Sequence, residues 1–252
     1  VAIIRHKRLR QSPSLRPRVR RPGIRENLRE LAGVPCLLVR SDSKPRPFLF
    51  WMHGRTAYKE LDAGRYLRCV RSGVNVCAVD LPGHGQRFEE SAQEATHILP
   101  VIEQMVGEID DVLGGLAAEG GFDVREAAIG GTSAGGMAAI KRLQQSHPFK
   151  AAIFEATTGS WGQLRSKPMC KALDQKTFDG VNPISHLKKW SDIPIIAFHS
   201  KLDEWIPYAS QLEFIEALRI RSNSFELIEF ISFDNTGAPF EHVGFGRQSA
   251  TV

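Results

Sequence analysis

Apolar residues along this chain fall into two patterns: short unbroken runs and helical stripes. Residues 47–54, PFLFWMHG, form an almost continuous apolar run closed by a glycine. That is the pattern of a strand covered on both faces. Residues 73–85, GVNVCAVDLPGHG, repeat it: an apolar run, then Asp80, then a Gly/Pro turn. EAAIGG (126–131), FKAAIFEA (149–156), PIIAFHS (194–200) and FELIEFIS (225–232) continue the series, and an earlier strand is expected at 35–39, before the turn KPRP. Between the runs the period changes. Ile98, Val101, Ile102, Met105, Ile109, Val112 and Leu116 recur every three or four residues, with Pro100 suited to a first turn, which predicts a long amphipathic helix. MAAIKRLQQ and YASQLEFIEALRIRS are helical by the same criterion. These six apolar runs, alternating with helical segments, imply an α/β fold, a mostly parallel central sheet with helices on both faces.

The 252 residues suit one such domain, expected over 23–252. The longest stretch without a clear strand, 155–190, is expected to act as a lid or pocket wall. The net charge of +5 is uneven: residues 1–22 hold eight of the 33 Lys and Arg and no acid, which leaves the rest at −3. This segment reads as a disordered arm, or as sequence upstream of the true start. It lacks interleaved aromatics and an amphipathic period, so a nucleic-acid or membrane partner is not expected. No apolar run has the length of a membrane span. Cys36, Cys69, Cys77 and Cys170 form no C-x-x-C pair. They read as thiols in a reducing, cytoplasmic compartment, and no metal spacing is present.

In open α/β sheets ligands bind beyond the carboxyl ends of the strands. Gly54, Asp80, Ser133, Glu155 and Asp203 occupy those positions. Ser133 sits in GGTSAGGMAAI (130–140), a glycine-flanked turn that opens into a helix. A strand-to-helix turn of this kind pushes a hydroxyl out above the sheet in tight backbone geometry, and Gly131 and Gly135 stand where the crowding is greatest. A serine hydroxyl needs a base, and the base an orienting acid. In chain order the motif predicts an acid and then a histidine. Asp203, in HSKLDEWIP, and His242, in PFEHVGFG, meet that order, with Glu204 and Asp234 as rival acids and His186 and His199 as rival histidines. His199 precedes the acid and is expected to support its loop. The backbone N–H groups of Ala134, at the helix start, and Arg55, after the 47–54 strand, are the expected oxyanion donors. His53 and His84 read as structural, and Asp80 as a turn former. Trp161, Leu164, Met169 and Trp205 are candidate pocket residues.

HG at 53–54, DLPGHG at 80–85, GTSAGG at 131–136, HSKLDEWIP at 199–207 and EHVG at 241–244 stand in the right order at the right strand ends. Through them the chain resembles α/β-hydrolases of the dienelactone hydrolase and prolyl-oligopeptidase-like branch, close to bacterial esterases. The resemblance implies a Ser133–Asp203–His242 triad, hydrolysis of a small-molecule carboxylic ester, and no metal or organic cofactor. HGR departs from the glycine-rich HGGG of lipase-like relatives, and the short tail after His242 implies a short or truncated last helix. Other readings stay open. A serine peptidase or thioesterase shares the fold, although peptidase members usually carry a large propeller domain for which this length leaves no room. A non-catalytic binding protein with a relic triad is the alternative of another class.

Overall fold

Residues 24–222 and 225–242 are described by the computed structural model. The basic segment 1–22 and the tail after His242 lie outside them. The chain opens with a hairpin, β1 (Arg25–Leu31) and β2 (Val34–Arg40). Ala32 and Gly33 turn it with φ of 50° and 79°, the left-handed pair that a two-residue hairpin favours. Then follow β3 (Arg46–Met52), α1 (Ala63–Arg71), β4 (Asn75–Val79), α2 (Ile98–Glu119), β5 (Phe122–Thr132), α3 (Ala134–Leu143) and β6 (Ala151–Glu155). The chain continues through α4 (Pro168–Lys171), α5 (Gln175–Val181), β7 (Ile195–Ser200), α6 (Tyr208–Ser222) and β8 (Ile228–Phe233). The eight strands form one sheet in the order β1-β2-β4-β3-β5-β6-β7-β8. β2 runs antiparallel to both β1 and β4, and every other neighbour pair is parallel.

β1 is the strand that the apolar pattern does not reveal. Its sequence, RENLREL, is mostly exposed and charged. It is an edge strand paired on one side only, so its backbone is satisfied by β2 while most of its side chains stay in water and Leu31, at its end, enters the core.

β3 shows why the buried runs lack alternation. Phe48, Phe50 and Met52 enter one core with α2 and α3, while Leu49 and Trp51 enter a second core with Tyr66 and Val70 of α1. Successive strand side chains point to opposite faces, and both faces here are covered by helix. The stripe read on α2 faces inward, with Val101, Ile102, Met105, Ile109, Val112 and Leu116 all buried.

Charged groups are also buried, at the ends of β3 and β4. Lys59 and Asp80 are both almost wholly buried. The Lys59 ammonium donates to Asp80 Oδ2 at 2.6 Å and to Gln86 Oε1 at 2.8 Å, and the backbone N–H groups of Lys59 and Gln86 donate to the same carboxylate at 2.9 Å. A Cβ on Gly85 would fall on the Asp80 carboxyl, so this turn needs glycine. Asp80 is therefore more than a turn former; it ties the two loops together through a buried ion pair. His53 adds a strut, donating from Nδ1 to the Gly54 carbonyl at 2.7 Å and accepting from the Leu81 N–H at 3.0 Å. Burial pushes its pKa down to about 4, which keeps the ring neutral.

Removing one member of a buried ion pair leaves the other charged and unsatisfied, at a cost of about 3–5 kcal/mol. Lys59→Met is accordingly expected to destabilise the protein by about 3 kcal/mol in urea unfolding. A loss below about 1 kcal/mol, the range of an exposed pair, would show that the pair is not carrying the loops.

Candidate active site

The turn between β5 and α3 holds Ser133 at φ 52° and ψ −118°. This left-handed conformation costs a non-glycine residue about 1–3 kcal/mol, so the surroundings must impose it. They do so by crowding. A Cβ on Gly131 would meet the Gly135 and Gly136 backbone at 2.5–2.7 Å, one on Gly135 would run into the Met52 and His53 carbonyl oxygens, and one on Gly136 would strike the Thr157 side chain at 2.6–2.8 Å. The end of β6 pins the turn from the other side. Ser133 N–H donates to the Glu155 carbonyl at 2.9 Å, and the Thr157 hydroxyl donates to the Ser133 carbonyl at 2.8 Å.

His242 Nε2 lies 2.9 Å from Ser133 Oγ, and its Nδ1 lies 2.8 Å from Asp203 Oδ2. With the Nδ1 proton donated to the carboxylate, Nε2 is free to accept from the serine hydroxyl. Asp203 is anchored on its other oxygen, where Oδ1 accepts from the N–H groups of Trp205 at 2.9 Å and Ile206 at 2.8 Å. His199 Nε2 sits 3.3 Å from Oδ2 and 3.0 Å from the Ile206 carbonyl, bracing the loop that carries Asp203. Burial by itself would raise the Asp203 carboxyl. The hydrogen bonds from His199 and His242 outweigh it and hold the group below the usual carboxylate range.

The rival residues lie elsewhere. The Glu204 side chain is exposed, Asp234 pairs with Lys201 at 2.7 Å on the surface, and His186 meets the Asp179 carbonyl at 2.9 Å.

Glu241 is a site residue that sequence reasoning missed. One of its oxygens accepts from the Ser200 hydroxyl at 2.7 Å and the Thr236 N–H at 2.6 Å; the other accepts from the Gly237 N–H at 2.7 Å. It ties the loop before His242 to the end of β7, across a backbone in which Phe240 and Glu241 both have positive φ. The Trp205 ring lies 4.8 Å from the His242 ring and 5.1 Å from that of Phe240. A carboxylate immediately before the histidine was the one available signal.

Above Ser133 lies a cavity of about 170 Å³. Arg55, Ala134, Leu164, Met169 and Trp205 line it, and Ile98 and Met137 add apolar surface. A Cβ on Gly54 would lie 3.3 Å from the serine Cβ, so the 54–55 backbone runs directly beside the hydroxyl. The first N–H groups of α3, beginning with Ala134, have no acceptor within the helix. Trp161 does not line the cavity. It is wholly buried in the core, with its indole N–H donating to the Thr158 carbonyl at 3.2 Å. A large apolar ring gains more from complete burial than from a wet rim, and its single donor is satisfied locally. Within 155–190 the wall is a 3-10 turn at Gly162–Leu164 followed by α4, which contributes Pro168 and Met169.

Comparison with known proteins follows the same lines. The chain is 24% identical over 206 residues to "Esterase YjfP" of Escherichia coli, covering 75% of this chain and 83% of that protein. TT1662 from Thermus thermophilus superposes with a TM-score of 0.70 at 19% identity, over 86% of this chain and 91% of its own. A puromycin-hydrolyzing peptidase of Mycobacterium tuberculosis superposes with a TM-score of 0.68 at 17% identity, over 83% of this chain but 35% of the peptidase. These superpositions share the α/β-hydrolase fold. The model of the prolyl oligopeptidase family matches residues 66–235, most of the sheet and its connecting helices, and the chain thus belongs to that family of serine hydrolases.

Proposed function

We propose that the protein is a carboxylic ester hydrolase that works through an acyl-enzyme, with Ser133 as nucleophile, His242 as general base and Asp203 as the orienting acid. The observation that carries this reading is the unbroken hydrogen-bonded chain from Ser133 Oγ through His242 to Asp203, at 2.9 and 2.8 Å, beside a cavity of about 170 Å³. His242 Nε2 takes the hydroxyl proton as Oγ attacks the ester carbonyl. The oxyanion that forms is held by the N–H groups of Ala134 and Arg55. Collapse expels the alcohol, which takes the proton from His242. Water then attacks the acyl-enzyme, with His242 as base, and releases the acid and Ser133. Asp203, kept ionised, stabilises the imidazolium in both halves.

The curated relative bearing the name esterase supports an ester over an amide. The cavity supports a short acyl group, since its volume is near the ~150 Å³ in which benzene is accommodated. Phenyl esters of graded acyl length, assayed beside the matching anilides, test the reading. Turnover is expected to peak at short to medium acyl chains and to be far slower on the anilides. A fluorophosphonate probe is expected to label Ser133. Faster cleavage of anilides would make the protein a peptidase, and the absence of both labelling and turnover would leave a binding protein with a triad that no longer reacts.

A further inference from the structure

The cavity above Ser133 carries two cations and no carboxylate. Apart from Arg55 and Lys167 its lining is chiefly apolar, with Ile98, Met137, Leu164 and Met169 prominent. All 28 aspartates and glutamates of the chain lie among the described residues, so the residues outside them supply no acidic side chain to neutralise the pair. Among the described residues neither cation has a carboxylate within ion-pair distance, whereas Arg65, Arg87 and Arg142 meet Glu155, Glu108 and Asp110. Glu94, which flanks the lining residue Ala95, is exposed and accepts from the Thr96 hydroxyl instead.

Arg55 is the more telling of the two. It is half-buried, its Nη1 donates to the Gln93 carbonyl at 2.5 Å, and its guanidinium stands 5.9 Å from the centre of the Trp205 ring. A guanidinium has five N–H donors in a fork that matches a carboxylate, and most of the Arg55 fork is left for another acceptor. Burial pulls its pKa down with no anion to offset the loss of water. Lys167 is exposed at the start of α4 and is itself a lining residue of the cavity.

We propose that the substrate is a short anionic ester, with a carboxylate a few carbons from the scissile bond that is bound by Arg55 and Lys167. This rests on the esterase reading above and adds the charge of the substrate to it. The apolar surface takes the methylene chain and the cations take its far end. A neutral ester of the same length forgoes the charge-assisted hydrogen bonds, and a cationic one meets two like charges. The carboxylate could stand on the acyl or the alcohol side; the chemistry at the cations is the same.

Four phenyl-type esters separate these cases: monophenyl adipate (acyl-side anion), 4-carboxyphenyl hexanoate (alcohol-side anion), phenyl hexanoate (neutral) and the phenyl ester of 5-(trimethylammonio)pentanoic acid (cationic). One of the two anionic esters is expected to exceed phenyl hexanoate in kcat/KM by about tenfold or more at low salt, with the advantage shrinking as salt rises and the cationic ester slowest. Arg55→Met and Lys167→Met, checked for folding by thermal unfolding, are each expected to cut the anionic-to-neutral ratio several-fold. Methionine keeps the chain length, and the backbone N–H at position 55 is retained.

Phenyl hexanoate turned over as well as either anionic ester would overturn the charge assignment and leave the esterase standing. An anionic preference that survives both substitutions would overturn the role of these two cations. No turnover of any of the four, together with no fluorophosphonate labelling, would overturn the esterase reading and this inference with it.

Discussion

Ser133→Ala is expected to abolish ester turnover, with a loss on the order of 10⁴-fold or more, while leaving the fold intact. Removal of Oγ takes away the atom that forms the acyl-enzyme, and nothing nearby replaces it. The neighbouring hydroxyl, Thr157, donates to the Ser133 carbonyl. Alanine keeps a Cβ in the same left-handed turn, so the strain imposed by Gly131, Gly135 and the β3 carbonyls is unchanged. The residual rate would come from binding and the oxyanion donors alone. Single-turnover assays beside thermal unfolding check both halves of the statement. Near-native turnover by a folded Ser133→Ala protein would remove Ser133 from the mechanism.

The second large effect is expected at the acid. Asp203→Asn keeps size and shape, and the amide oxygen can still accept from the Trp205 and Ile206 N–H groups. The His242 side loses its anion. An amide NH₂ facing Nδ1 favours the wrong tautomer, with the proton on Nε2, where it cannot accept from Ser133. The imidazolium that forms during attack also loses its counter-charge. Loss of turnover of about 10⁴-fold is the expected scale. Glu204→Gln, one residue on, is expected to change turnover by less than about tenfold, because its side chain is exposed; the gap corresponds to roughly 4 kcal/mol in barrier. The reverse ranking would move the acid to Glu204. Equal mild effects would point to Asp234, although its pairing with Lys201 on the surface argues against that.

The sequence alone determined the architecture. The strands from β2 to β7 were legible because they are largely buried within the sheet, so each reads as an apolar run, and α2 was legible because its stripe has the helical period. The Ser133 turn was legible for a related reason. Backbone approaches of under 3 Å exclude any side chain at Gly131 and Gly135, and the Thr157 side chain does the same at Gly136, so local crowding leaves a glycine signature in the sequence. Chain order then narrowed the candidate acids and histidines to short lists, and Asp203 and His242 are the members of those lists that meet beside Ser133.

Tertiary structure decided what depends on partners distant in the chain. β1 carries no apolar signal because an edge strand needs only backbone pairing with β2. That Asp203 and not Glu204 meets His242 follows from which of two adjacent side chains the loop turns toward a residue 39 positions away. The brace at Glu241, the burial of Lys59 with Asp80 and the inward turn of Trp161 are likewise invisible locally: a carboxylate, a lysine or an indole has the same character in the sequence whether the fold buries it or leaves it in water. Lys167 joins the cavity only because α4 packs against the turn at Ala95–His97, more than 70 residues earlier in the chain. Hydrophobic periodicity reports which face of an element is covered; it does not report which polar groups from separate elements meet, and that meeting builds the site.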